Sequence, residues 1–451
     1  MSRQILQWAA IPALLLFCVS AQAVHLSDSG RGGALIVPYS TAAGGNDTLL
    51  TVRNHGDAAT AVKFRQMHDD GSEVGAWNVY LDAGAVYTLS MSKSSGQLLI
   101  LTDLNTACVA PLATAFTAGT ATRSERAETG YIEIIEMGRA ADEIGAAAAA
   151  EWPPCDEVNE RLVNGIWRDD PNAGILPPGG ALSASVSLIH VEAGGMVTLD
   201  ATAIAGFIDI PQHTSTDSDV PNLSTPHDSG AGPGKTRSRI CTDSECRTDA
   251  WDVPVQAVAA VLMAKAIEAD VVINPAIGAK AELVIVKPLE RYWSFLSEAK
   301  LQLRKRNGES VSGSESGCVS LLSCCEIDGS WFPVSLLPGA IEVVTMNAAA
   351  SEVGLEQRTP ILSAPTIPEF SLEDREFVSG VARVLFDQGF PNGTYSSICN
   401  DEICISGEPV VGFVIQQFTN GTLIDADGDR IRANYRTAVE WTRELLIRER
   451  P

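Results

Sequence analysis

From Ala34 to Asp103 the chain repeats one unit, a short apolar stretch followed by a turn, and no other feature constrains its fold as much. The apolar stretches are residues 34–39, 48–52, 61–64, 77–81, 86–89 and 98–101, each about strand length. Between them stand Gly44-Gly45-Asn46-Asp47, Asn54-His55-Gly56-Asp57, Asp69-Asp70-Gly71 and Asp82-Ala83-Gly84, residue types that tolerate positive φ and close turns. Strands recurring every 8–12 residues or so imply antiparallel sheets closed into a sandwich or barrel. Trp77, Val79 and Leu81 alternate with Asn78 and Tyr80, which sets one face of that strand on a core.

The pattern returns at 131–137, where Glu133 lies on the opposite face from Ile132 and Ile134, and again over 183–207. Residues 140–167 interrupt it with an Ala-rich run and a stretch of helical or irregular character. Over 211–250 hydrophobic residues nearly vanish among Ser, Thr, Asp, Pro and Gly, the composition of a linker or long surface loop. Beyond it, Val255, Val258, Leu262 and Met263 approach helical spacing, residues 281–287, 341–345, 378–386 and 410–418 read as strands, and 438–448 fits either. The expected fold is mostly β: two immunoglobulin-like antiparallel β-sandwich domains with helical insertions and a polar linker. The boundaries are 24–210 for the first domain, with an insertion at about 139–178, then 211–250 for the linker and 251–451 for the second domain.

Residues 1–23 read as a signal peptide. Arg3 supplies the positive region, 11–19 the apolar one, and Ala21-Gln22-Ala23 the small-residue cleavage site. Phe17 before Cys18 is too bulky for a lipidation site. No later apolar run reaches the roughly 20 residues that a spanning helix needs, so no transmembrane segment is expected after cleavage. The formal net charge of −24 repels phosphate backbones and anionic membranes, which argues against nucleic acid as a partner.

Of ten cysteines, Cys18 leaves with the leader. Cys241 and Cys246 share their spacing with Cys399 and Cys404, four polar or mixed residues that a disulfide can close. The same pairs could form a four-thiolate metal site, and export favours the disulfides. Cys108 and Cys155 form a plausible long-range bridge, while Cys318, Cys324 and Cys325 are an odd cluster with one thiol free or paired between molecules.

Asp425, Asp427 and Asp429 place three carboxylates at alternate positions, which suits Ca²⁺; the competing reading is a solvated hairpin turn. Arg430 and Arg436 occupy the positions where an EF-hand needs Gly and Glu, so that motif is excluded. Gly230–Thr236 imitates a phosphate loop, but Ser229 replaces its first Gly and the stretch lies in the polar segment. His213 and His227, near Asp217, Asp219 and Asp228, offer a further metal-capture reading. Neither His-Glu-x-x-His nor Gly-x-Ser-x-Gly occurs, and no enzyme activity is expected.

The stretches 33–41 (Gly-Ala-Leu-Ile-Val-Pro-Tyr-Ser-Thr) and 45–54 (Gly-Asn-Asp-Thr-Leu-Leu-Thr-Val-Arg-Asn) resemble the opening strands of an uncharacterised family of secreted or surface-associated proteobacterial proteins. Residues 77–81, 130–138, 259–265 and 412–421 continue the likeness in order. At 283–291 the chain departs from the family's usual tryptophan and threonine-lysine-arginine run. The resemblance implies a secreted protein and brings no catalytic residues with it.

The expected role is therefore structural or adhesive: an exported protein acting through strand edges and loops. Its partners would be other cell-envelope or extracellular proteins, self-assembly included. The strand near the mature N-terminus, 34–39, is the candidate for exchange between molecules. The alternative is an extracellular glycan- or calcium-binding module, and third comes a hydrolase without a local motif. The expected location is secreted, extracellular or outer cell surface, with the periplasm as the other compartment.

Overall fold

The computed structural model describes residues 23–94, 97–102, 107–110, 120–123, 128–142, 147–242, 245–293, 298–311, 332–334, 339–347, 358–364, 370–371, 377–388, 397–424, 428 and 430–450. The signal segment, but for Ala23, lies outside them, as do Cys318, Cys324, Cys325, Asp425, Asp427 and Asp429.

Strands dominate, and nearly all of their pairings are antiparallel. In the first sheet the order runs His25–Leu26, Thr202–Ala205, Ala34–Thr41, Thr129–Ala140, Thr60–His68, Glu73–Leu81, Cys108–Ala110, with Ile175–Leu176 also on Thr129–Ala140. The second runs Gly195–Asp200, Leu182–His190, Asn46–Asn54, Val86–Ser94, Gln97–Thr102, Thr120–Arg123. Alternate residues of Gly195–Asp200 are buried, as a strand with one face on a core requires.

The first sheet breaks that rule. Every residue of Ala34–Thr41 is buried, and so are Lys63, Arg65, Asn78, Tyr80 and Glu133, which alternation would turn toward water. Its outer face is covered by the polar segment expected to be a linker or long surface loop. The Lys63 ammonium donates to the carbonyls of Ser215, Ser218 and Val220 at 3.1, 2.5 and 3.0 Å, and Asn78 donates to the carbonyl of Thr214 at 2.8 Å. Buried polar atoms need such partners, and a covering segment rich in free carbonyls supplies them. Farther along, the segment forms the hairpin Thr236–Cys241 and Cys246–Trp251. Two helices, Cys155–Val163 and Ile166–Asp169, fill the interruption between strands and cover Tyr80 through Trp167.

The 34–39 stretch does not form an edge. Hydrogen-bonded ladders flank its strand on both sides, to Thr202–Ala205 and to Thr129–Ala140, so the expectation of an exchangeable strand is corrected.

Past the polar segment, Pro254 opens the helix Pro254–Leu262, a position where its missing N–H costs nothing. The helix is buried from Ala257 to Leu262 and stops because Met263 turns extended and pairs with Pro409. A third sheet follows the order Phe332–Val334, Glu298–Lys305, Ser379–Gln388, Ala266–Val272, Thr442–Glu444. The fourth has Phe370–Ser371, Ile341–Asn347, Lys280–Val286, Val411–Ile424, Arg430–Glu440, its first pair parallel. Three short strands, Ser397–Cys399, Ile403–Ser406 and Leu446–Glu449, form a separate small sheet.

One buried hydrophobic cluster takes residues from both halves, from Leu35, Leu50 and Ile134 to Val284, Val343 and Phe413, and a second lies wholly beyond residue 263. Tyr39 meets Phe413 edge to face with ring centroids 6.3 Å apart.

Candidate functional site

Strand ends and sheet edges are where this fold leaves backbone groups open to a partner. The longest such strand described is Arg430–Glu440, which pairs only with Val411–Ile424. Its free side runs beside another edge, Gly195–Asp200, yet no ladder joins the two. Side chains bridge the seam instead. The Asn434 amide donates to the Ala193 carbonyl at 2.7 Å. Arg436 donates to the Asn46 side-chain oxygen and to Gln417, both at 2.9 Å, and lies so close over Gly195 that a Cβ there would fall 2.6 Å from its Cδ. Outward from the seam stand Met196, Tyr435 and Val439, exposed to 54, 57 and 50%, with Val191 nearby at 72%. Single exposed apolar side chains are ordinary; several along two unladdered edge strands that face each other are not.

A second cluster joins the halves through buried charge. Arg65, fully buried, pairs with Glu73 at 2.5 Å, with Asp219 at 3.0 Å and with Glu133 at 3.5 Å. From the other half, Arg291 pairs with Asp219 at 2.9 Å and the Tyr292 hydroxyl donates to both Glu133 oxygens at 3.2 and 3.1 Å. Burial raises Glu133 to about 7 against the pull of Arg65, and lowers Lys63 to about 8. Every partner belongs to this same network, so its work is to fasten the polar segment and the 287–293 loop onto the first sheet.

Tyr80, Trp152, Trp167 and His213 form a third cluster beside the Cys108–Cys155 pair. Burial pushes His213 down to about 4, so the ring is neutral at physiological pH. Its Nδ1–H donates to the Pro171 carbonyl at 2.6 Å, which leaves Nε2 to accept from the Tyr80 hydroxyl at 2.7 Å. The arrangement is a packed structural core.

The sequence-derived site residues fall as follows. Cys108 and Cys155, Cys241 and Cys246, and Cys399 and Cys404 sit at disulfide distance, with sulfurs 2.04, 2.00 and 2.02 Å apart. The two short pairs occupy equivalent places, each closing the end of a two-stranded hairpin, and the hairpins lie together through Asn400, which donates to the Ala250 carbonyl at 3.2 Å. His213 and His227 do not converge. His227 pairs with Asp209 at 2.5 Å, Asp228 holds Arg237 at 2.7 Å, and Asp219 belongs to the charged junction. Among the described residues no group of three or more His, Cys, Asp or Glu side chains is placed to hold a metal ion. Asp425, Asp427 and Asp429 are outside those residues. No helix among them is long and apolar enough to cross a membrane.

Sequence reasoning passed over Arg65, Arg291 and Tyr435 and met Arg436 only as a residue that excludes an EF-hand. Of these only Arg65 carried a signal, as one of the polar residues at 63, 65 and 133 set within otherwise apolar strands. In comparisons with known proteins, no family model, no curated protein and no solved structure matches the chain.

Proposed function

We propose that the chain is an exported protein of the cell surface or extracellular space, built as two immunoglobulin-like β-sandwich units. Its work is structural or adhesive, recruiting envelope or extracellular partners, itself included, by β-augmentation. Membership of the secreted proteobacterial family it resembles is part of this reading. The observation that carries it is the seam: an eleven-residue edge strand, Arg430–Glu440, faces the edge strand Gly195–Asp200 with no ladder between them, and Met196, Tyr435 and Val439 stand exposed along it. Three cysteine pairs at disulfide distance fit a location outside the cytoplasm.

The test places charges on that edge, the device by which natural sheets refuse extra strands. Tyr435→Lys with Val439→Lys should abolish self-association in sedimentation and attachment to intact cells, while the far-ultraviolet spectrum and melting temperature stay unchanged. Association and attachment equal to those of the unaltered protein would refute the assignment.

A further inference from the structure

A crevice opens where the short edge of the first sheet meets the C-terminal strands, with Glu440 and Asp200, the last residues of the two seam strands, at its rim. Leu26 and Thr202 line it from one half. Leu262 comes from the helix, and Val410, Val411, Gly412, Glu440, Trp441 and Arg443 from the C-terminal strands, around a volume of about 110 Å³. That is the room of roughly four waters, enough for a carboxylate on a short aliphatic stem.

Gly412 shapes one wall. Its φ is +150°, and a Cβ would fall 2.1 Å from the Val284 carbonyl oxygen and 2.4 Å from the Trp441 ring, so only glycine lets the indole lie on this strand.

The charges of the crevice are unmatched. Arg443 donates to the Val261 carbonyl at 2.7 Å, and among the described residues no carboxylate lies within ion-pair distance of it. A guanidinium has five N–H donors, so one carbonyl leaves others to face the crevice. Burial alone pushes Arg443 down, to about 10. At the rim, Glu440 is raised by burial and then by the neighbouring Asp200, and neither carboxylate has a cation partner among the described residues. Between these opposite charges the wall is apolar: Leu26, Leu262, Val410, Val411 and Trp441.

We infer that this crevice binds an aliphatic ω-amino carboxylate, its carboxylate on Arg443, its methylene chain along Leu262, Val410 and Trp441, and its ammonium at the rim with Glu440 and Asp200. The ligand carboxylate then gives the desolvated guanidinium a planar, bidentate partner, which sets the selectivity of the inner end, while the ammonium meets two solvent-exposed carboxylates at the rim. A ligand with only the carboxylate would face the acidic rim unaided. One with only the ammonium would leave the guanidinium unpaired.

The experiment titrates the full oxidised protein with γ-aminobutyrate, δ-aminovalerate and ε-aminocaproate by calorimetry, with valerate and butylamine as single-charge controls. At least one zwitterion should bind, about tenfold or more tighter than either control, the difference that one charge-assisted contact makes. Arg443→Met should erase the response and Arg443→Lys restore part of it, while Glu440→Gln should bring the zwitterion down to the level of valerate. Should Arg443→Met fail to fold, Leu26→Trp fills the crevice from the short edge strand and should block binding while leaving the guanidinium in place. Absence of heat with every zwitterion overturns the inference. So does binding that survives Leu26→Trp, or butylamine binding as tightly as the best zwitterion. Loss of adhesion through the Tyr435 edge does not bear on this site, since the two share no substituted residue.

Discussion

At the scale of single residues, this protein buries carboxyl groups where a sheet protein usually turns them to solvent. Glu133, Glu282 and Glu342 are each raised by burial to about 7 from an ordinary value of 4.5. A group held above its unfolded value takes up protons on folding, so its stabilising effect is complete below about 4.5 and is lost as pH climbs through 7. His213 acts in the opposite sense: held down to about 4, it raises stability as pH increases from 4 toward 6.5. Three carboxyls outweigh one imidazole, so the urea midpoint should be lower at pH 8 than at pH 5. Glu133→Gln should make that dependence shallower. A midpoint that rises steadily over the same interval would show that ion pairing at these sites outweighs desolvation. The positions were visible in the sequence as polar residues inside apolar strands. Their burial was not, because what covers Lys63, Arg65 and Glu133 is a polar segment with no periodicity of its own.

At the scale of elements, the three cysteine pairs differ in the chain they enclose. Cys108–Cys155 spans 47 positions, and each hairpin pair spans 5. Loop-closure entropy then ranks them: removing the long bridge should cost about 4 kcal/mol and removing either short one about 2 kcal/mol. Paired Cys→Ser variants compared by denaturant unfolding give the ranking directly, and a hairpin pair costing more than Cys108–Cys155 would contradict it. The two short pairs could be read from their shared spacing, as could strands such as Ala34–Thr41 and Glu73–Leu81, whose apolar stretches are local signals, whereas spacing could not fix the pairing of Cys108 with Cys155. The turn from helix to strand after Leu262 could not. Met263 continues the helical spacing, but its partner in the ladder is Pro409, far along the chain, and tertiary pairing overrides the local pattern. The crevice was hidden for the same reason, since Leu26, Thr202, Leu262, Val410 and Arg443 come from separate elements.

At the scale of the whole molecule, one hydrophobic cluster runs from the first sheet through to Phe413 and Ile415, with Tyr39 against Phe413 at its waist. Asn46 extends the link, donating to the Ile361 carbonyl at 3.2 Å and accepting from Arg436 at 2.9 Å. Shared burial of this kind makes the halves unfold together. Calorimetry should show a single transition, and Tyr39→Ala should lower it as a whole, by about 3–5 kcal/mol of stability by analogy with other large aromatic truncations. Two separate peaks in the unaltered protein would mean that the halves are independent.

The charged junction also draws on distant parts of the chain. Arg65, Glu73 and Glu133 come early in the chain, but Arg291, the second cation beside Glu73 and Asp219, and Tyr292, whose hydroxyl donates to Glu133, come far later. The cover over the first sheet therefore draws on residues made more than 150 positions after Glu133, so a fragment ending before residue 291 should lack these contacts and leave the Arg65 face open to solvent.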